Sequence, residues 1–237
     1  MTLTTNPYAN RLLRWLPQAD IDLLHGLLEP VQLEKSYQLA HADWPVEHVY
    51  FLESGVGSIV AKSPEGHEAE AGLFGRDGFG PAPPALGLDR SPFDIYMQVP
   101  GAGYRLPLAH FHQQMAASPT FARLVQSFAY VLQVQTIFTG LSNAIHMVDE
   151  RLARWILMCH DRIDGDEIAL THEFLSLMLA VRRPSVTTAL HNLEGNRFIY
   201  ANRGHVTVRD RARLEEFAKD SYGKPEAEYT RLFGTMC

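Results

Sequence analysis

The segment LSLMLAVRRPSVTTALHNLEGNRFI, residues 175–199, restricts the fold of this chain more than any other stretch. Its apolar residues recur at helical spacing in two short runs separated by one tight polar step. Leu175, Met178 and Leu179 form the inner face of the first run, and Val186, Ala189, Leu190 and Leu193 form that of the second. Thr171 stands where it caps the first helix, with Glu173 in the first turn, and the chain turns at Ala180-Val181-Arg182. The pattern is helix-turn-helix. Burying the inner residues leaves Arg182, Arg183, Ser185, Thr187 and Thr188 at or near the exposed start of the second helix, the edge that reads bases in a major groove. Helix pairs of this spacing also occur in enzymes. Residues 198–208 favour the first reading, because they form two short strands around Asn202-Arg203-Gly204, a hairpin wing.

Charge is distributed in keeping with that reading. The whole chain carries −6, yet residues 171–213 hold seven arginines against three acids, a local +4. Phosphate contacts are made by one face, so the local value matters more than the pI of about 6.0. A solvated arginine face gives the same count, and charge alone does not choose between them. With 237 residues and 46% apolar content the chain can bury two cores. No stretch approaches the roughly 20 apolar residues of a membrane span. The first residues lack the basic-then-apolar order of a signal peptide. A cytoplasmic protein with no membrane partner is expected. Cys159 and Cys237 supply neither a disulfide framework nor four cluster thiolates, and read as reduced thiols.

Upstream, residues 8–28 read as short helices punctuated by Pro17. Residues 31–108 change to β-type runs such as HVYFLE, VGSIVAK and FDIYMQV, divided by turn signals at Ser54-Gly55, Pro64-Glu65-Gly66, Arg76-Asp77-Gly78 and Pro100-Gly101. That spacing predicts an antiparallel barrel or jelly roll. Ser118-Pro119 starts a helix expected to run to about 147, with Gly140 and Val148-Asp149 as places to bend or end. Leu124, Phe128, Val131 and Phe138 make one stripe on it, with Phe121, Val125 and Leu132 beside them. One stripe is expected to pack on the barrel and the other on a second copy; burial of the helix within one chain is the alternative. The boundaries that follow are 1–112 for the β-rich domain, 118–147 for the long helix, 148–213 for the helix-turn-helix and wing, and 214–237 for a helical tail.

In DERLARWILMCHDRI and LTHEFLSLMLAVRRPSVTTALHNLEGNRFI, supported by YFLESGVGSIVAK, GRDGFG and MQVPGAGYRL, the chain resembles the cyclic-AMP receptor and fumarate-nitrate regulator (Crp/Fnr) family of bacterial transcription factors. The resemblance runs over nearly the whole length. It implies an α+β fold: an N-terminal cyclic-nucleotide-binding-like β-roll, a long dimerisation helix and a C-terminal winged helix-turn-helix. It also implies a homodimer on double-stranded DNA, with an inverted-repeat operator and RNA polymerase as a candidate further partner. Base reading then falls to Arg182, Arg183, Ser185, Thr187 and Thr188, and backbone contact to Thr171, His172, Arg203 and His205. One departure is Ala180, where the family's turn usually has Gly; a left-handed residue there costs Ala roughly 1 kcal/mol.

The sensor departs further. Cyclic-nucleotide-binding members carry a Gly-Glu pair for the ribose hydroxyl and an Arg-Ser-Ala for the cyclic phosphate. This chain has Gly80-Pro81 and Arg90-Ser91-Pro92, and proline offers no side-chain acceptor. Arg90, Ser91 and Thr136 are the candidate ligand-pocket residues; a surface role for Arg90 and a core or interface role for Thr136 are the alternatives. No cofactor is assigned, and cyclic AMP is not expected to be the effector. His110-Phe111-His112 admits a cupin-like alternative, a β-roll metal protein or enzyme with a helical dimerisation module. The acid expected after that pair is missing and no fixed ligand spacing is present, so no metal ligand is assigned. No Gly-x-Ser-x-Gly elbow, Walker loop or dinucleotide fingerprint occurs, and no catalytic residue or enzyme activity is expected.

Overall fold

The computed structural model describes residues 6–235. In chain order its elements are α1 (Arg11–Trp15), α2 (Gln18–Leu24), β1 (Glu29–Leu33), β2 (Gln38–Ala40), β3 (His48–Leu52), β4 (Val56–Lys62), β5 (Glu68–Phe74), β6 (Phe79–Gly80), β7 (Asp94–Val99), β8 (Gly101–Pro107), α3 (Leu108–Ala117), α4 (Pro119–Ile145), α5 (Val148–His160), β9 (Glu167–Ala169), α6 (His172–Leu179), α7 (Arg183–Gly195), β10 (Ile199–Asn202), β11 (His205–Val208), α8 (Arg211–Ala218) and α9 (Lys224–Phe233). They divide into two compact units. Unit 1 takes the chain up to Gly57 and Phe74–Tyr130; unit 2 takes Ser58–Leu73 and everything from Val131.

Unit 1 is built on an antiparallel sheet of order β1-β8-β3-β6, with β2 paired to β7. Strand β3 places Val49 and Phe51 on one face by the two-residue period. Phe51 meets Phe79 and Phe121, and Phe79 meets Phe111 and Phe128, with ring centroids 5.4 to 6.4 Å apart. All five rings are fully buried. Gly78 lies beneath this cluster, where a Cβ would come within 1.7 Å of Phe128. Asn10 caps α1 through Leu12 N and Leu13 N, while its amide donates to Leu52 O and Gly78 O. One polar residue thus satisfies a helix start and two strand carbonyls.

The long helix differs from its expected use. Phe121, Val125, Phe128, Val131 and Leu132 are all buried within the chain, while Leu124 and Phe138 of the first expected stripe are half-buried. The exposed apolar stripe is another one: Ile137 (61% exposed), Leu141 (48%) and Ile145 (62%), preceded by the half-buried Val134. The helix runs unbroken through Gly140. The segment around His110 and His112 is helix α3, which the sequence left unassigned. Residues two apart on a helix do not share a face. Among the described residues no group of three His, Cys, Asp or Glu side chains could hold a metal ion, and no helix is long and apolar enough to cross a membrane.

Unit 2 joins most of the β4–β5 hairpin, the later part of α4 and all the later elements. Leu73 N donates to the buried Gln135 Oε1 at 2.7 Å, attaching β5 to α4. Helix α5 is buried on most of its surface, and α6, α7 and α8 pack on it. Its start is boxed by Glu150, whose carboxylate accepts from Met147 N. The same carboxylate pairs with Lys219, which holds it below the usual carboxylate range. Behind α8, Arg211 donates to the buried Asp161 at 2.7 Å, to Tyr222 at 2.8 Å and to Glu215 at 2.8 Å.

Candidate nucleic-acid interface

Helix α6 begins as its sequence dictates: Thr171 Oγ1 accepts from Phe174 N. It ends where Val181 N returns to Ser176 O and Ala180 N to Leu177 O, the paired bonds of a Schellman motif. Ala180 takes the left-handed conformation that this motif requires, at φ 49° and ψ 45°. Arg151, from α5, donates to Leu179 O and so covers another terminal carbonyl. The turn delivers Arg182 as the residue before α7, with Pro184 in its first turn, where a missing N–H costs nothing. Leu175, Met178 and Leu179 of α6 and Val186, Ala189, Leu190 and Leu193 of α7 are all buried.

What remains outward is the candidate interface. Arg182, Arg183, Ser185 and Thr188 are exposed, around a helix start whose dipole favours anions. Arg183 Nη2 lies 3.1 Å from Glu173 Oε1, an exposed pair that is worth little in water. Thr187 and Thr188 donate back to Arg183 O and Pro184 O, at 3.2 and 3.1 Å. Their protons are used within the helix, which leaves hydroxyl lone pairs facing outward as acceptors. His172 Nδ1 sits 3.3 Å from Thr187 Oγ1.

The wing is strands β10 and β11, paired from Ile199↔Val208 to Asn202↔His205. Arg203 and Gly204 form its tip, with Gly204 at φ 85°. Strand β9, absent from the sequence reading because three residues carry no usable period, pairs with β11 and places Glu167 3.3 Å from His205 Nδ1. Glu194 of α7 accepts from Ala201 N and ties the wing to the helix. Between them lies a hollow of about 210 Å³, lined among others by His172, His191, Glu194, Arg203 and His205. His191 and Glu194 were not singled out in the sequence; their place on the second helix, after its inner positions, was the available signal.

The three residues expected to line a ligand pocket each bond backbone carbonyls or amides of the protein. Arg90 is exposed and donates to Asp43 O at 3.2 Å. Ser91 is buried, and its hydroxyl donates to Phe93 O and accepts from Phe93 N, both at 3.2 Å. Thr136, in unit 2, donates to Leu132 O in its own helix at 2.9 Å. Cys159 is fully buried, and burial pushes its thiol up, which keeps it protonated and unreactive. Cys237 lies outside the described residues.

These elements define a winged helix-turn-helix module, the architecture of DNA-binding domains, in a chain with a β-rich N-terminal part and a long intervening helix. Residues 150–217 match the family model of the Crp-like helix-turn-helix domain. The fold of the chain is Crp/Fnr-like. FixK2 from Bradyrhizobium japonicum superposes with a TM-score of 0.67 at 15% identity, over 80% of this chain and 96% of that one. A candidate Crp/Fnr regulator from Eubacterium rectale gives 0.66 at 17% identity, over 89% and 99%. The c-di-GMP-responsive global regulator CLP of Xanthomonas campestris gives 0.63 at 15%, over 81% and 99%. No curated protein matches the sequence.

Proposed function

We propose that this chain is a homodimeric, sequence-specific transcriptional regulator of the Crp/Fnr type that binds an inverted-repeat operator in the cytoplasm, and not an enzyme. The observation that carries this reading is the exposed basic start of α7 beside the wing, on a segment of the Crp-like helix-turn-helix family. Arg182, Arg183, Ser185, Thr187 and Thr188 read bases; Thr171, His172, Arg203 and His205 hold the backbone. The exposed Ile137, Leu141 and Ile145 support a helix-to-helix dimer seam, since apolar side chains at this spacing are costly in water. Two recognition helices related by a two-fold axis address major grooves about 34 Å apart. RNA polymerase is the further partner such a regulator contacts.

Cyclic AMP is not the switch in this reading. Pro81 gives the ribose hydroxyl no side-chain acceptor, and an unpaired buried hydroxyl costs about 1–3 kcal/mol. Arg90, Ser91 and Thr136 remain the residues to test for any other effector. The metal-protein alternative is not favoured.

Mobility shift on genomic promoter fragments against random duplex tests the DNA reading, and calorimetric titration with cyclic AMP tests the effector. Equal binding to random and genomic DNA at moderate salt overturns the first. Micromolar cyclic AMP binding with a tenfold or greater gain in operator affinity, about 1.4 kcal/mol of coupling, overturns the second.

A further inference from the structure

Unit 2 contains a buried acid that the interface does not use. Glu70, on β5, is fully enclosed and both its oxygens are held. Ser58 Oγ, on β4, lies 2.6 Å from Oε2, and the indole N–H of Trp155, on α5, donates to Oε1 at 2.7 Å. A carboxyl is among the groups most costly to bury, and an apolar side chain would fill the place without that cost. Helix α5 is the support on which α6 and α7 pack, so these bonds attach the hairpin to the base of the interface.

The charged surroundings are Arg154 and Arg162, together with the thiol of Cys159, with Glu226 of α9 and Asp161 beyond them. Arg154 donates from Nη2 to Thr139 Oγ1 at 3.1 Å, while its buried Nε has no hydrogen-bond partner. Glu70 fits this setting in either protonation state. The neutral acid donates its O–H to Ser58 Oγ and accepts from Trp155; the ionised form accepts from both. Burial makes the ionised form costlier and raises the pKa to about 8, against the opposing pull of Ser58, Trp155 and the two arginines.

We propose that the β4–β5 hairpin is a proton-operated clamp on α5: the neutral acid of Glu70 stays buried against Trp155, and loss of its proton leaves a buried charge that is drawn out to water, which breaks the contact with Trp155 and loosens the support of the recognition helix. A freed, solvated Glu70 has the ordinary carboxyl pKa. The clamp is therefore fully held below that value, weakens as pH rises, and is released through the raised value near 8. Its effect on operator affinity rests on the regulator reading above.

Trp155 reports the clamp without DNA. Trp15 and Trp44 are 56% and 68% exposed, and replacing both by Phe leaves Trp155 as the one indole of the three in the chain. Its emission, followed from about pH 5 to about pH 10, is expected to shift red in one transition centred near 8. Glu70→Gln should abolish that transition, because the amide donates to Ser58 and accepts from Trp155 as the neutral acid does. A wild-type-like transition in Glu70→Gln, or none in the parent, overturns the clamp. Should Glu70→Gln fail to fold, Ser58→Ala serves: it removes a bond that both forms make but that is charge-assisted, and so stronger, in the ionised form, which moves the midpoint upward, and an unmoved midpoint overturns the assignment. On the operator fragment selected by mobility shift, affinity should fall about tenfold more across the transition in the parent than in Glu70→Gln. Equal pH dependence in both overturns the coupling. Absence of DNA binding at every pH instead overturns the regulator reading, while the emission titration still decides the clamp.

Discussion

Replacing Ala180 by glycine should stabilise the helix-turn-helix without touching its recognition surface. Ala180 is exposed and left-handed, at φ 49° and ψ 45°, in a motif that positions the two helices. The left-handed conformation costs an L-residue roughly 1–2 kcal/mol, and glycine does not carry that cost. Glycine also gives the unfolded chain more freedom, which offsets about 0.4–1 kcal/mol. The net expectation is a gain of about 0.5–1 kcal/mol, a rise in Tm of about 1–4 °C for a chain of this size. Urea denaturation should show a higher midpoint at an unchanged slope, because the buried surface is the same. Ala180→Val is the matched control. A β-branched side chain at positive φ should lose at least about 1 kcal/mol. A glycine variant destabilised by about 0.5 kcal/mol or more, or a valine variant as stable as the parent, would refute the strain argument.

Arg183→Ala should cost about 1–3 kcal/mol on the operator and relax preference at one symmetric position, whereas Arg203→Ala should weaken all sequences evenly; mobility shift on operator and random duplex separates the two. Ile137→Asp combined with Leu141→Asp should leave a folded monomer by sedimentation equilibrium, and a persistent dimer would place the seam elsewhere. Arg211→Ala leaves the buried Asp161 with only Tyr222, and should cost about 3–5 kcal/mol in chemical denaturation, largely recovered by adding Asp161→Asn. The raised pKa of Glu70 makes the fold bind a proton more tightly than the unfolded chain does. Stability from this group is complete below the ordinary carboxyl value and is lost as pH rises through about 8, a change on the order of a few kcal/mol that the Glu70→Gln denaturation curve should lack.

The sequence by itself determined the local geometry of the interface. Helical spacing is a property of neighbouring residues, so the inner faces of α6 and α7, the Thr171 cap, the strained Ala180 and the Arg203-Gly204 wing tip were all readable before any contact was known. The +4 of residues 171–213 was equally a matter of counting. Tertiary structure decided which of several plausible faces each element used. On α4 most of the two expected stripes was taken up inside the chain, with Leu124 and Phe138 half-buried, and a more exposed stripe at Ile137, Leu141 and Ile145 appeared beside them, because apolar content tells that a residue wants burial and not which partner supplies it. The three-residue strand β9 had no period of its own and exists through its pairing with β11. Glu70 and Trp155 are separated by 85 positions, and Glu70 was not singled out in the sequence. Only the packing of the β4–β5 hairpin against α5 in one unit turns that carboxyl inward, since a buried carboxyl is tolerated where distant donors converge on it, and such convergence leaves no mark in the local sequence.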